Sequence, residues 1–250
     1  MKNEIILWIS SIIVVFLIGY FKKVTNADYP FTSTFGIEGK KVSYKLDRVC
    51  YDKHSFKNFI LSDVEGLNGK LIWIKDDQQF ESDYKKIDRG LECSIPKLKP
   101  GKAIRYKVEL TYDDKTFKIP KEGYVTLVFW GNIPTGVNVL VFIFLYGGLL
   151  LSIRALLEIF NKEKNLKKYA IAVCAFFLIL NSIIIPLRNS YKLGAINNYI
   201  PRIIDLIDPY WLVILFLWII GTIFFFYKKF TRQVLILITL TTVILYFFSN

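Results

Sequence analysis

The chain has 250 residues, 53% of them hydrophobic, with a formal net charge of +12 and a mean hydropathy of +0.37. Soluble domains are about 45–50% apolar, and the excess here is gathered into long runs, which points to lipid rather than to a larger core. A single histidine, His54, excludes a His-rich metal site, and the three widely spaced cysteines fit no zinc or Cys-x-x-Cys pattern.

The first apolar run is Ile5–Phe21. It ends in Gly19-Tyr20-Phe21-Lys22-Lys23, with no small-x-small cleavage pattern directly after it, so residues 1–23 read as an uncleaved anchor helix. Beyond it, over residues 24–133, the long apolar runs give way to short alternating stretches separated by turn residues. The candidate strands are Lys41–Leu46, Phe56–Asp63, Gly69–Lys75, Tyr84–Ile87, Leu91–Pro96, Ala103–Thr111, Thr116–Pro120 and Tyr124–Phe129. From Ile104 to Leu110 the even positions are apolar and the odd ones charged, as in a strand with one face buried. Asp113-Asp114 falls where a hairpin turn to the next strand is needed. So many short strands in so short a segment predict an immunoglobulin- or fibronectin-like β-sandwich. Trp73 is expected as its buried aromatic and Tyr106 as its tyrosine corner. His54, in Asp52-Lys53-His54-Ser55, reads as a surface residue. Cys50 and Cys93 both fall in this segment, and a disulfide between them is open if it faces an oxidising compartment.

Residues 134–250 hold four more apolar runs: Val137–Ile153, Tyr169–Leu187, Tyr210–Tyr227 and Val234–Phe248. About 20 residues cross a hydrocarbon core, with about 17 near the lower limit, so the last run must extend beyond its apolar stretch. None of the five runs has a charge in its interior, which favours spanning helices. The expected fold is therefore α plus β, five transmembrane helices with an inserted sandwich. Gly147-Gly148 and Gly221 suit close helix packing, and Asn181 suits an interhelical hydrogen bond. Cys174 reads as a small packing residue. Pro186 lies near the end of its apolar run, so no broken helix is expected at mid-depth.

Lysines and arginines of short loops mark the cytoplasmic side. Arg154, Lys162, Lys164, Lys167 and Lys168 lie in one loop and Lys228, Lys229 and Arg232 in another on the same side; Lys22 and Lys23 argue weakly the other way. The sandwich and the C-terminus are then periplasmic, in a bacterial inner membrane. Residues 22–131 carry 21 basic against 16 acidic side chains, and most of the remaining excess lies in the cytoplasmic pieces. The charge therefore needs no nucleic-acid partner. The expected partners are membrane lipid and another membrane or periplasmic protein.

The periplasmic loop Arg188–Pro209 is the candidate functional segment. Arg202 and Asp205 stand at i, i+3 in a short helix opened by Pro201, and Asp205, Asp208 and Asn197 or Asn198 offer oxygen ligands or proton carriers. Arg188, Tyr191, Arg202, Asp205 and Asp208 are its candidate residues. The competing reading is an interfacial helix whose acids pair with arginines or end the helix before Pro209. No P-loop, Gly-x-Ser-x-Gly, His-Glu-x-x-His or EF-hand pattern occurs, and no cofactor is implied.

The chain resembles a family of bacterial integral membrane proteins of uncharacterised activity that shares this layout. The resemblance rests on Phe35–Tyr44, on Arg154–Glu158 with Asn165–Tyr169, and on Leu193-Gly194-Ala195 through Pro201 to Asp205-Leu206-Ile207-Asp208. In the family the last stretch runs aromatic-Gly-Ala-Tyr-Trp-Thr-Gly, then Pro, then Asp-Leu-Thr-Asp. Here Ile196-Asn197-Asn198-Tyr199 and Ile207 depart from that pattern, while the glycine, the proline and both aspartates are kept. The resemblance implies the layout and no activity. The expected function is a non-enzymatic accessory or assembly component of a membrane complex. The alternatives are a transport or ion-handling component using residues 188–209, and a membrane enzyme acting on lipid or envelope substrates.

Overall fold

The computed structural model describes residues 2–26, 28–51, 55–161, 165–194, 201–227 and 231–249. They form two compact units, one helical and one built of strands, and the chain is a multi-pass membrane protein with an inserted β-sandwich. His54, Lys162, Lys164, Asn197, Asn198, Lys228 and Lys229 lie outside the described residues.

The helical unit contains five segments long and apolar enough to span: Asn3–Thr25, Thr135–Asn161, Leu166–Lys192, Pro209–Tyr227 and Thr231–Phe248. The first belongs to helix α1 (Lys2–Thr25), which packs with the later spans rather than standing apart. Its Gly19 lies against Tyr146 of α2 (Thr135–Leu157), where an added Cβ would come within 3.0 Å of the ring. The third span is α3 (Leu166–Ile179), a π-helical turn (Leu180–Ile184) and α4 (Ile185–Lys192). Gly147 and Gly148 let α2 approach α3 so closely that a Cβ would fall 2.5 and 2.7 Å from Phe176 and Phe177. After α5 (Ile203–Leu206), helices α6 (Pro209–Tyr227) and α7 (Thr231–Phe248) close on each other where Gly221 meets Ile238. Small residues at such crossings let the dispersion contacts form that hold helices together in lipid.

Two expectations change here. Arg154 is not a loop charge: α2 continues to Leu157 and a 3₁₀ turn (Glu158–Asn161) follows, so its guanidinium is fully buried in the helical unit. Pro186 stands farther from the end of its helix than the end of the apolar run implies, because α4 continues to Lys192. A proline ring excludes the carbonyl four residues back and offers no N–H, and the π turn widens the helix directly before it. Asn181, in that turn, donates from Nδ2 to Phe177 O (2.8 Å) and across to Trp211 O on α6 (3.1 Å), as the interhelical bond predicted for it.

In the strand unit, one sheet has the order β1-β2-β4-β8-β7: Phe31–Ile37, Lys40–Leu46, Ser55–Ser62, Gly90–Pro96 and Lys85–Ile87. The other has the order β3-β11-β9-β5-β6, with β10 beside β9: Val49–Cys50, Val125–Phe129, Ala103–Tyr112, Asn68–Lys75, Gln78–Asp83 and Lys115–Ile119. The alternation in β9 buries Ile104, Tyr106, Val108 and Leu110 between the sheets, and β4 buries Phe56, Asn58 and Ile60. Asp113-Asp114 turns β9 into β10, as expected.

Strands β1, β3 and β6 were not predicted. The strand expected at Tyr84–Ile87 forms as β7 (Lys85–Ile87), and Tyr84 is the corner where the chain leaves β6 in one sheet for β7 in the other. Tyr84 fills that corner, its hydroxyl donating to Asn58 Oδ1 at 2.6 Å, and burial pushes its phenol well above the usual range. Trp73 is buried and stacks on Phe80 at 4.4 Å. Tyr106 is fully buried, but its hydroxyl donates to Asp47 O (2.8 Å), between β2 and β3, not to a local corner. No bridge joins Cys50 to Cys93: they stand on opposite sheets, and Cys93 Sγ lies 3.6 Å from Ser82 O.

Candidate functional site

The chemistry expected in residues 188–209 resolves into local roles. Asp208 caps α6: its Oδ1 accepts from Tyr210 N at 2.9 Å, with Pro209 at the first helical position. That sequence order suits a helix start, since the carboxylate satisfies an orphan N–H and proline has none to lose. Asp205 of α5 sits 3.6 Å from Arg202, the residue that precedes the helix, and both are exposed. Arg188 and Tyr191 lie on α4, and Asn189 between them donates to Leu206 O at 3.0 Å, tying α4 to α5. The following residues Lys192–Gly194 belong to the strand unit, where Gly131 N donates to Lys192 O (2.7 Å) and Lys192 Nζ lies 4.3 Å from the Trp130 ring. Among the described residues, no group of three or more histidine, cysteine or acidic side chains is placed to hold a metal ion.

Two clusters in the helical unit were missed in the sequence. At one end Arg154 lies between Trp8 of α1 and Tyr169 of α3, 5.6 and 4.7 Å from their ring centres, with its Nη1 2.6 Å from Glu158 Oε1. Both charges are fully buried. Glu158 also accepts from Asn165 N (3.2 Å), and Asn161 Nδ2 lies 3.4 Å from Glu158 and from Glu4. Arg154 is paired in charge with Glu158, although its buried guanidinium N–H groups have no hydrogen-bond acceptor of good geometry. A buried charge left without its partner is costly, so this cluster joins α1, α2 and α3. Its signal in the sequence was the i, i+4 spacing of Arg154 and Glu158. The other cluster is made by Lys22, whose Nζ donates to Phe247 O (2.9 Å) and Ser249 O (2.5 Å) at the end of α7. A cation there meets carbonyls that the helix leaves unbonded.

The strand unit has a groove of about 830 Å³ between β1 and β10, the edge strands of the two sheets. Near it the tips of two hairpins are tied together. Glu38-Gly39 turns β1 into β2 with both residues at positive φ (49° and 77°), the geometry of a type I′ turn. Glu38 Oε2 there accepts from Tyr112 at the end of β9 (2.7 Å), beside the turn into β10. That bond pushes the exposed Tyr112 phenol up to about 12.

Aromatic rings line the groove. Phe35 reaches from β1 to Phe117 of β10 with ring centres 5.4 Å apart, and Tyr44 lies 5.9 Å from Phe31 and 6.2 Å from Phe35. Lys118 and Lys121 stand on the rim, and no acidic residue lines it.

The free edge of β1 can be read from its register. Ile37 faces Lys40 across a two-residue turn, which makes that pair hydrogen-bonded, and the alternation continues along the ladder. Phe31, Ser33, Phe35 and Ile37 therefore spend their N–H and C=O groups on β2. Thr32, Thr34 and Gly36 turn theirs to the open side. The other edge strands longer than two residues all carry charges: Glu81 and Asp83 on β6, Lys85 and Lys86 on β7, Lys115 and Lys118 on β10. β1 carries none. Charged side chains are how sheets keep foreign strands off their edges, so β1 is the unguarded edge of this sandwich. No protein-family model, curated protein or solved structure matches the chain.

Proposed function

We propose that the chain is a non-enzymatic accessory or assembly component of a bacterial inner-membrane complex, and that its periplasmic, immunoglobulin-like sandwich binds a partner protein. The observation that carries this reading is the uncharged open edge of β1 beside an aromatic groove. A sheet edge offers main-chain hydrogen bonds to a partner, and the neighbouring pocket selects its side chains. The same layout is the one implied by the family that the sequence resembles.

The charge distribution supports the orientation. Removing the buried Arg154 from the loop count leaves Lys162, Lys164, Lys167, Lys168, Lys228, Lys229 and Arg232 on the side read as cytoplasmic. Lys22, which argued the other way, is engaged with the end of α7.

The test is site-specific photocrosslinking in the native host, with a photoreactive residue at Thr34 and, as control, at Lys86 on β7. The reading expects a discrete adduct with a second protein from Thr34 alone. Adducts from neither position, or equally from both, would discard it. A membrane-impermeant maleimide applied to intact spheroplasts of a Thr34→Cys variant tests the side, and absence of labelling would reverse the orientation.

A further inference from the structure

We infer that the groove between β1 and β10 takes an extended acidic-and-apolar peptide segment of a partner protein, added as a further strand on the edge of β1. The inference rests on the binding reading above and names the chemistry of what is bound. β1 spans seven residues and exposes the N–H and C=O groups of Thr32, Thr34 and Gly36, which repeat every second residue. Only a chain in extended conformation presents complementary groups at that spacing. A helix has spent its own, and a lipid tail has none.

Side chains on alternate positions of the added strand would face the aromatic lining. Phe31 is 39% exposed, although it sits on the core-facing side of its strand, and Phe35 and Phe117 are partly buried. Apolar side chains from the guest would complete the burial of these rings, and the other positions would face water.

Charge decides the ends. Lys118 and Lys121 stand on the β10 side, no acid lines the groove, and Lys118 reaches Glu109 only at 4.0 Å. An acidic residue of the guest is the complement, while a basic guest would meet like charge. A second copy of this chain is a poorer fit, since pairing β1 with β1 brings Lys118 and Lys121 no acidic partner from β1 itself.

The experiment uses the full chain in detergent and a fluorescein-labelled ten-residue peptide that alternates valine with threonine and ends in glutamate on both sides. Fluorescence anisotropy is expected to show saturable binding. It should weaken about tenfold when the terminal glutamates become lysines and disappear when a central threonine becomes proline. In the protein, Thr34→Pro should abolish binding while the circular dichroism stays unchanged, because the N–H it removes faces outward and proline is tolerated at such edges. Should Thr34→Pro unfold the sandwich, the charge reversal K118E with K121E decides: it should transfer the preference from the glutamate-ended to the lysine-ended peptide. Equal binding of both peptides by that reversed protein would overturn the inference. So would no binding of the first peptide, or a Thr34→Cys disulfide between two copies that the peptide cannot compete away. A crosslinked partner from Thr34 in cells together with no peptide binding would keep the site and reject this chemistry.

Discussion

The helical unit and the sandwich handle buried polar groups in opposite ways. In the helical unit most backbone N–H and C=O groups are used within their own helix, as lipid requires, so the ties between helices come from side chains. Arg154 with Glu158, Asn181 with Trp211 O, Trp218 Nε1 with Thr242 Oγ1 (3.0 Å) and Tyr146 with Tyr246 (3.1 Å) join one helix to the next or secure its end. The sandwich core is almost purely apolar, with Asn58 its buried polar residue among those described. Apart from the buried, unbonded Nε1 of Trp73, its unspent hydrogen-bonding capacity lies in the backbone, at the edges. Binding capacity is thus expected where a sheet stops, and in the helical unit polar side chains hold structure together.

The sharpest way to break that comparison is to remove one charge of the buried pair. Glu158→Ala strands Arg154 between Trp8 and Tyr169, and a loss of about 3–5 kcal/mol is expected, read as thermal unfolding of the detergent-solubilised protein. Replacing both charges by apolar residues, Arg154→Met with Glu158→Leu, should restore most of it. If the single and double variants melt alike, the pair is not the tie described. In the sandwich, the corresponding break is in the backbone. Gly90 has φ 137°, and a Cβ there would collide with Ile60 O on the adjacent strand. Gly90→Ala should cost about 3 kcal/mol, visible as lost hydrogen-exchange protection in β4 and β8 with the helices unaffected. Loss of protection in the helices as well would show that the two units do not fold separately.

The smallest effect expected is at the tie between hairpin tips. The Tyr112 phenol, raised to about 12 by its bond to Glu38, stays protonated through the range where a free tyrosine ionises. A folded pKa above the unfolded one means the bond's contribution is whole below about 10. It is lost as pH climbs past about 12. The phenolate absorbance missing from Tyr112→Phe should therefore titrate near 12 in the parent protein, and near 10 once Glu38→Gln has removed the acceptor's charge. A midpoint near 10 in the parent would mean that the tips are not joined.

The missed elements share a cause. β1 reads Phe-Thr-Ser-Thr-Phe-Gly-Ile, and without a charge on its outer face the alternation that marked β9 so clearly is faint. The absence of charge that hid the strand is also what leaves its edge open. Asp205 and Asp208 are carboxylates in an apolar loop, a setting that invites a ligand. One instead faces an arginine and the other starts a helix.

What the residues determined by themselves is what depends on near neighbours. Five helices follow from sustained hydropathy, half-buried strands from alternation, and the turn at Asp113 from local backbone preference. The tertiary structure alone decided which strand became an edge, that Phe35 meets Phe117 across two sheets, and that Arg154 is enclosed rather than solvated. Those outcomes depend on which elements become neighbours, and pairing between residues far apart along the chain leaves no periodic trace in the sequence.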